Sequence, residues 1–124
     1  MPFTVAFDPD TRIVMVKVSG RVSPQDHNKA RSEALRVGRT NNSLKLLVDL
    51  RELITQDSSV MDCFAFGESF PLLSPIACIA HVLPKDENSK KDVKFTSNVS
   101  ANRGLLTRDF ETVAQAKEWL MKLK

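Results

Sequence analysis

His27, His81, Cys63 and Cys78 are the residues of this chain best suited to nucleophilic or metal chemistry. Acyl transfer needs a nucleophile within reach of a base, with a third group orienting the base. Cys78 and His81 stand three apart in an apolar run that reads as a strand. On a strand, residues three apart point to opposite faces, so this pair does not meet. His81 is expected at a sheet face with one satisfied hydrogen bond, and His27 on the polar side of a helix. No serine lies in a G-x-S-x-G elbow. A structural zinc site wants four ligands at short, recognisable spacings, and these four residues are too scattered to supply them. Asp8 and Asp10 flank a turn without the calcium-loop pattern. The chain has 4 glycines and neither phosphate-binding glycine motif. The expectation is a protein that is not an enzyme and uses no metal or cofactor.

The segment from Val60 to Phe70 points elsewhere. Val60, Phe64 and Gly67 form one apolar stripe at helical spacing, and Cys63, Phe66 and Phe70 form a second, offset around the same helix. A helix packed on a sheet needs one stripe. The second needs a cover: neighbouring Leu72 and Leu73, a second copy of the chain, a partner protein or a lipid-like ligand. Aromatic residues and methionine, here including Met61, are typical of interface centres. Gly67 would let another backbone or an acyl chain approach closely.

Charge narrows the partners. Lys and Arg total 18 and Asp and Glu 15, for a formal charge of +3. The basic residues are interspersed with acids and densest over Lys29, Arg31, Arg36 and Arg39, which reads as a solvated helix face; no nucleic acid is expected. The two cysteines lie in apolar runs without a CxxC partner and are expected as buried reduced thiols. Met1-Pro2-Phe3-Thr4 shows no secretory signal, and the apolar stretch from Pro71 to Pro84 is too short and proline-broken to span a bilayer. A cytoplasmic protein without stable membrane insertion is expected.

These residues must be positioned by one domain, since 124 residues is the usual size of one. Phe3–Asp8 and Arg12–Ser19 read as strands joined by the turn Asp8-Pro9-Asp10-Thr11, an antiparallel hairpin. Ser23-Pro24-Gln25-Asp26 starts a helix running to about Val37, with Gly38 near its end and Ala30, Ala34, Leu35 and Val37 on its apolar face. Leu44–Leu50 is a strand, and Ser59 begins the apolar helix that ends near Phe70. Ile76–Leu83 reads as a central strand and Pro84–Lys91 as a charged loop. Asp92–Arg103 is a helix with Phe95 and Val99 four apart, ended by Gly104. Leu105–Phe110 is the last strand. Glu111–Lys122 is an amphipathic helix through Val113, Ala116, Trp119 and Leu120. The order ββαβαβαβα predicts an α/β fold, a mixed sheet of about five strands with an N-terminal β-hairpin and four helices.

The element order, the length and two motifs resemble the SpoIIAA-like branch of the STAS superfamily. One motif is Phe95-Thr96-Ser97-Asn98-Val99-Ser100-Ala101-Asn102-Arg103-Gly104 with Arg108-Asp109-Phe110 and Ala116-Lys117-Glu118-Trp119-Leu120, similar to that branch's C-terminal ending. The other is Leu47-Val48-Asp49-Leu50 followed by Asp57-Ser58-Ser59, similar to the strand and "DSSG" segment of anti-sigma-factor antagonists. The resemblance implies a single regulatory, protein-binding domain over residues 1–124. It puts the phosphorylated serine of antagonists at Ser58, with Ser59 beside it and Asp57 supporting the turn. Val60 stands where the motif has glycine, and the SpoIIAA-like branch generally does not keep the phosphoserine motif. A helix cap at Ser58 or Ser59 is the alternative role. By the same resemblance, a carrier or sensor of a small hydrophobic ligand is the second function to weigh. Arg103 near a helix end favours the macrodipole, and nothing physical makes Asn102 a ligand-binding residue.

Overall fold

Alternation and capping build the elements in the order the sequence sets. The computed structural model describes residues 3–21, 23–43, 45–54, 78–102 and 106–122. They form β1 (Phe3–Asp8), β2 (Ile13–Arg21), α1 (Pro24–Asn41), β3 (Lys45–Ile54), β4 (Cys78–Val82), α2 (Glu87–Asn102), β5 (Leu106–Phe110) and α3 (Val113–Lys122). The strands make one mixed sheet in the order β1-β2-β3-β4-β5. β1 and β2 are the expected antiparallel hairpin, and the remaining neighbours pair in parallel. The α/β class and the five-stranded mixed sheet are thus as read. Three helices stand among the described residues; the expected helix from Ser59 to Phe70 lies outside them.

The two sheet faces bury different helices. Val14, Val16, Val18, Leu46, Leu50, Leu53 and Ile79 face α1 through Ala30, Ala34 and Leu35, and α2 through Val93. Ile13, Leu47, Cys78, Ala80 and Val82 face α3 through Ala116 and Leu120, with Trp119 tilted against Phe110 at 5.6 Å. Leu50 and Leu53 are three apart yet share one core, because the β2–β3 register slips between Lys17 and Ser19. An extra residue on β3 there resets the alternation.

Helix boundaries moved for identifiable reasons. α1 begins with a capping box: Ser23 Oγ accepts from the Asp26 N–H at 3.2 Å, and Asp26 Oδ2 accepts from the Ser23 N–H at 3.4 Å. It does not stop at Gly38 but continues to Asn41, because Asn42 takes the left-handed cap conformation at φ 52. From the β1–β2 turn, Arg12 donates to the Asn41 carbonyl at 2.6 Å, a cation on the negative helix end. α2 starts at Glu87, so part of the expected loop from Pro84 to Lys91 is helical. Asp86 explains the early start: its Oδ2 accepts from the Ser89 N–H at 3.0 Å and the Ser89 hydroxyl at 2.8 Å. Of the pair Phe95 and Val99, Phe95 is 36% exposed and Val99 is buried, as are Ser89, Val93 and Ser97. His27 is also corrected: it shares the side of Ala30 and Ala34 and is half-buried.

Candidate functional site

Open α/β sheets place functional groups at the carboxyl ends of their parallel strands. The penultimate residues of β4 and β5 are His81 and Asp109, which are register partners. Alternation turns both toward α2, along with Thr107. Ser97, on the buried side of α2, completes the cluster. Its Oγ lies 3.2 Å from His81 Nδ1 and donates to Asp109 Oδ1 at 3.1 Å. Thr107 Oγ1 also lies 3.2 Å from Nδ1, and Asp109 Oδ1 is 3.5 Å from it. His81 therefore has a network where one hydrogen bond was expected.

The network assigns the imidazole tautomer. Ser97 has one hydroxyl proton, and it goes to Asp109. Its contact with Nδ1 then requires a proton on that nitrogen, which faces three oxygens, one of them a carboxylate's. This arrangement is not a hydrolytic relay. In a relay the serine meets one ring nitrogen and the carboxylate the other. Here both converge on Nδ1, and Ser97 is only 5% exposed. What the cluster does is join α2 to the ends of β4 and β5. Each such bond contributes about 1 kcal/mol, and orphaning a buried partner costs about 1–3 kcal/mol.

A second polar group lies on the opposite face, midway along β3 and level with the end of β4. Arg51 donates to Asp49 in a two-pronged pair, Nε to Oδ1 at 3.0 Å and a terminal nitrogen to Oδ2 at 2.9 Å, and its backbone N–H adds a bond to Oδ1 at 3.2 Å. Burial pushes the Asp49 carboxyl up, but the Arg51 bonds, with the charges of Arg51 and Lys17, outweigh it and hold it below the ordinary value. The Arg51 carbonyl accepts from the Lys85 N–H at 3.2 Å, so the pair also anchors the loop into α2.

Asp57, Ser58, Ser59, Val60, Met61, Phe64, Phe66, Gly67 and Phe70, the contact and switch residues read from the sequence, lie outside the described residues. So do Cys63 and Arg103. Asn102 is exposed at the end of α2. Cys78 is buried, and that burial pushes its thiol up, with Lys45 opposing. No group of three or more metal-ligating side chains comes together among the described residues. None of the described helices is long and apolar enough to cross a membrane. The sequence reading missed the His81 cluster. Its one signal was a polar residue at the inward phase of each of the last two strands, which gains meaning only once the strands pair.

A hairpin leading into parallel strands, with α1 and α2 on one face and α3 on the other, defines a small α/β domain whose polar cluster is structural in form. No protein-family model matches the chain, and no curated protein matches it. Among solved structures it is similar to an uncharacterized protein of the DUF3478 family with a SpoIIAA-like fold from Shewanella loihica. That likeness has a TM-score of 0.58 and 14% identity, over 95% of this chain and 91% of the other. The chain thus has a SpoIIAA-like fold.

Proposed function

We propose that the protein is a non-catalytic regulatory domain of STAS type that works by docking to another protein. The observation that carries this reading is the SpoIIAA-like fold, which extends over nearly the whole chain. Within it, β3 ends at Ile54, three residues before Asp57-Ser58-Ser59, the stretch that resembles the switch segment of antagonists. The doubled apolar stripe that the sequence pattern predicts after Ser59 would need a cover, which a partner could supply. The convergence of Ser97 and Asp109 on one nitrogen of His81 argues against acyl-transfer chemistry there.

The test is native mass spectrometry of the protein purified from its own cells, followed by the variants Phe64→Glu and Ser58→Glu. The expected result is a stoichiometric complex with a second protein, lost in both variants while the circular dichroism spectrum is unchanged. A retained molecule of a few hundred daltons, released on denaturation, would overturn the reading in favour of a hydrophobic-ligand carrier. A complex indifferent to both substitutions would overturn the assigned surface.

A further inference from the structure

The helix α1 carries the charge that its packing does not use. It holds four cations, Lys29, Arg31, Arg36 and Arg39, against two carboxylates, Asp26 and Glu33. Arg12, bound to the last carbonyls of the same helix, adds a fifth cation. The excess is three, equal to the formal +3 of the whole chain, so the remainder of the molecule sums to zero. Both carboxylates are committed: Asp26 to the capping box, and Glu33 to Arg36. Lys29 and Arg39 have no ion-pair partner among the described residues.

The cations are also aligned. Lys29, Arg36 and Arg39 are seven and then three residues apart, which puts them in one outward stripe; Glu33 shares it and is bonded to Arg36, so Lys29 and Arg39 are its unpaired charges. All three are exposed, as are Asn28 and Ser32 beside them. The stripe runs about 15 Å along the helix. We infer that this face of α1 docks an acidic segment of a partner protein. The inference rests on the protein-docking reading above and adds to it a surface and the chemistry of its occupant. Ser32, between the cations, and the amide N–H groups of Asn28, beside Lys29, offer hydrogen bonds to carboxylates or backbone. The stripe is short and has no aromatic ring for base stacking, which disfavours nucleic acid. It has no apolar residue to enter a bilayer, which disfavours a membrane surface.

The experiment is an amide chemical-shift titration of the full chain with a Glu/Asp-rich peptide of about 12 residues, a length that spans the stripe even when helical. The expected shifts cluster on residues 28–40. Affinity should fall by about tenfold between about 50 and about 200 mM salt. The double variant Lys29→Glu with Arg39→Glu should lose binding by about tenfold or more. Lys91→Glu with Lys94→Glu, on exposed positions of α2, changes net charge equally and should bind within about twofold of the parent. Equal loss in both double variants, scattered shifts, or no shifts at millimolar peptide would overturn the inference. So would displacement of the peptide by a duplex DNA or by anionic vesicles at equal charge concentration. If the cellular complex survives Lys29→Glu with Arg39→Glu but not Phe64→Glu, the docking reading stands and this surface alone falls.

Discussion

α1 and α2 lie on the same face of the sheet and are held to it by different forces. α1 presents Ala30, Ala34 and Leu35 to β1 and β2, an apolar seam. α2 buries Ser89, Val93, Ser97 and Val99, so half of its buried side chains among the described residues are polar. Apolar contact is non-directional and tolerates small shifts. Hydrogen bonds do not, since they weaken steeply with angle and distance. The position of α2 over β4 and β5 is therefore fixed by the geometry around His81, whereas α1 is held by area. A helix fixed by hydrogen bonds has fewer acceptable positions and a larger penalty when one partner is removed.

Truncation should separate the two. Leu35→Ala, at a residue 6% exposed, is expected to cost about 3 kcal/mol in urea unfolding, the largest effect here. Val93→Ala on α2 should cost about half as much; an equal cost would show that α2 rests on burial as α1 does. His81→Leu keeps the volume but leaves Thr107 and the Asp109 carboxylate short of a partner. Its expected cost is about 2 kcal/mol. Combined with Ser97→Ala, it should give a coupling energy of about 1 kcal/mol in a double-mutant cycle. Strict additivity of the two changes would remove the claim that the cluster acts as a unit.

Capping offers a smaller contrast. Ser23→Ala is expected to cost about 1 kcal/mol, with faster amide exchange confined to the first turn of α1. Exchange in α2 should not change. That cap was legible in the sequence, because Ser23-Pro24-Gln25-Asp26 acts within one turn and needs no knowledge of the fold. The hairpin and the succession of strands and helices along the chain were legible for the same reason, through alternation and turn chemistry. The inward face of α2 was not. Its buried serines carry no hydrophobic period, and of the two apolar residues spaced four apart, Val99 is buried while Phe95 is exposed. The start of α2 was missed because Asp86 follows a proline and a lysine in a charged stretch that resembles a loop. The cluster around His81 depends on the β4–β5 register and on Ser97 sixteen residues away, which no local pattern encodes.

The smallest expected effect concerns acid, and it too divides the helices. On α1, burial pushes the His27 imidazole below its ordinary value, with neighbouring Asp26 opposing. The unfolded chain then binds a proton that the folded chain resists, so stability is full above about pH 6.5 and declines as pH falls below it. On α2, the hydroxyl and N–H of Ser89 hold the Asp86 carboxyl below its ordinary value. The Asp86 contribution is present above the unfolded carboxylate range and is lost only below about pH 4. Mild acid should therefore loosen α1 first and stronger acid α2. Urea unfolding measured from about pH 7.5 to about pH 5 should show a shallow slope that His27→Gln flattens. If the slope persists in that variant, His27 is not its source, and the difference between the helices is one of packing and hydrogen bonding alone.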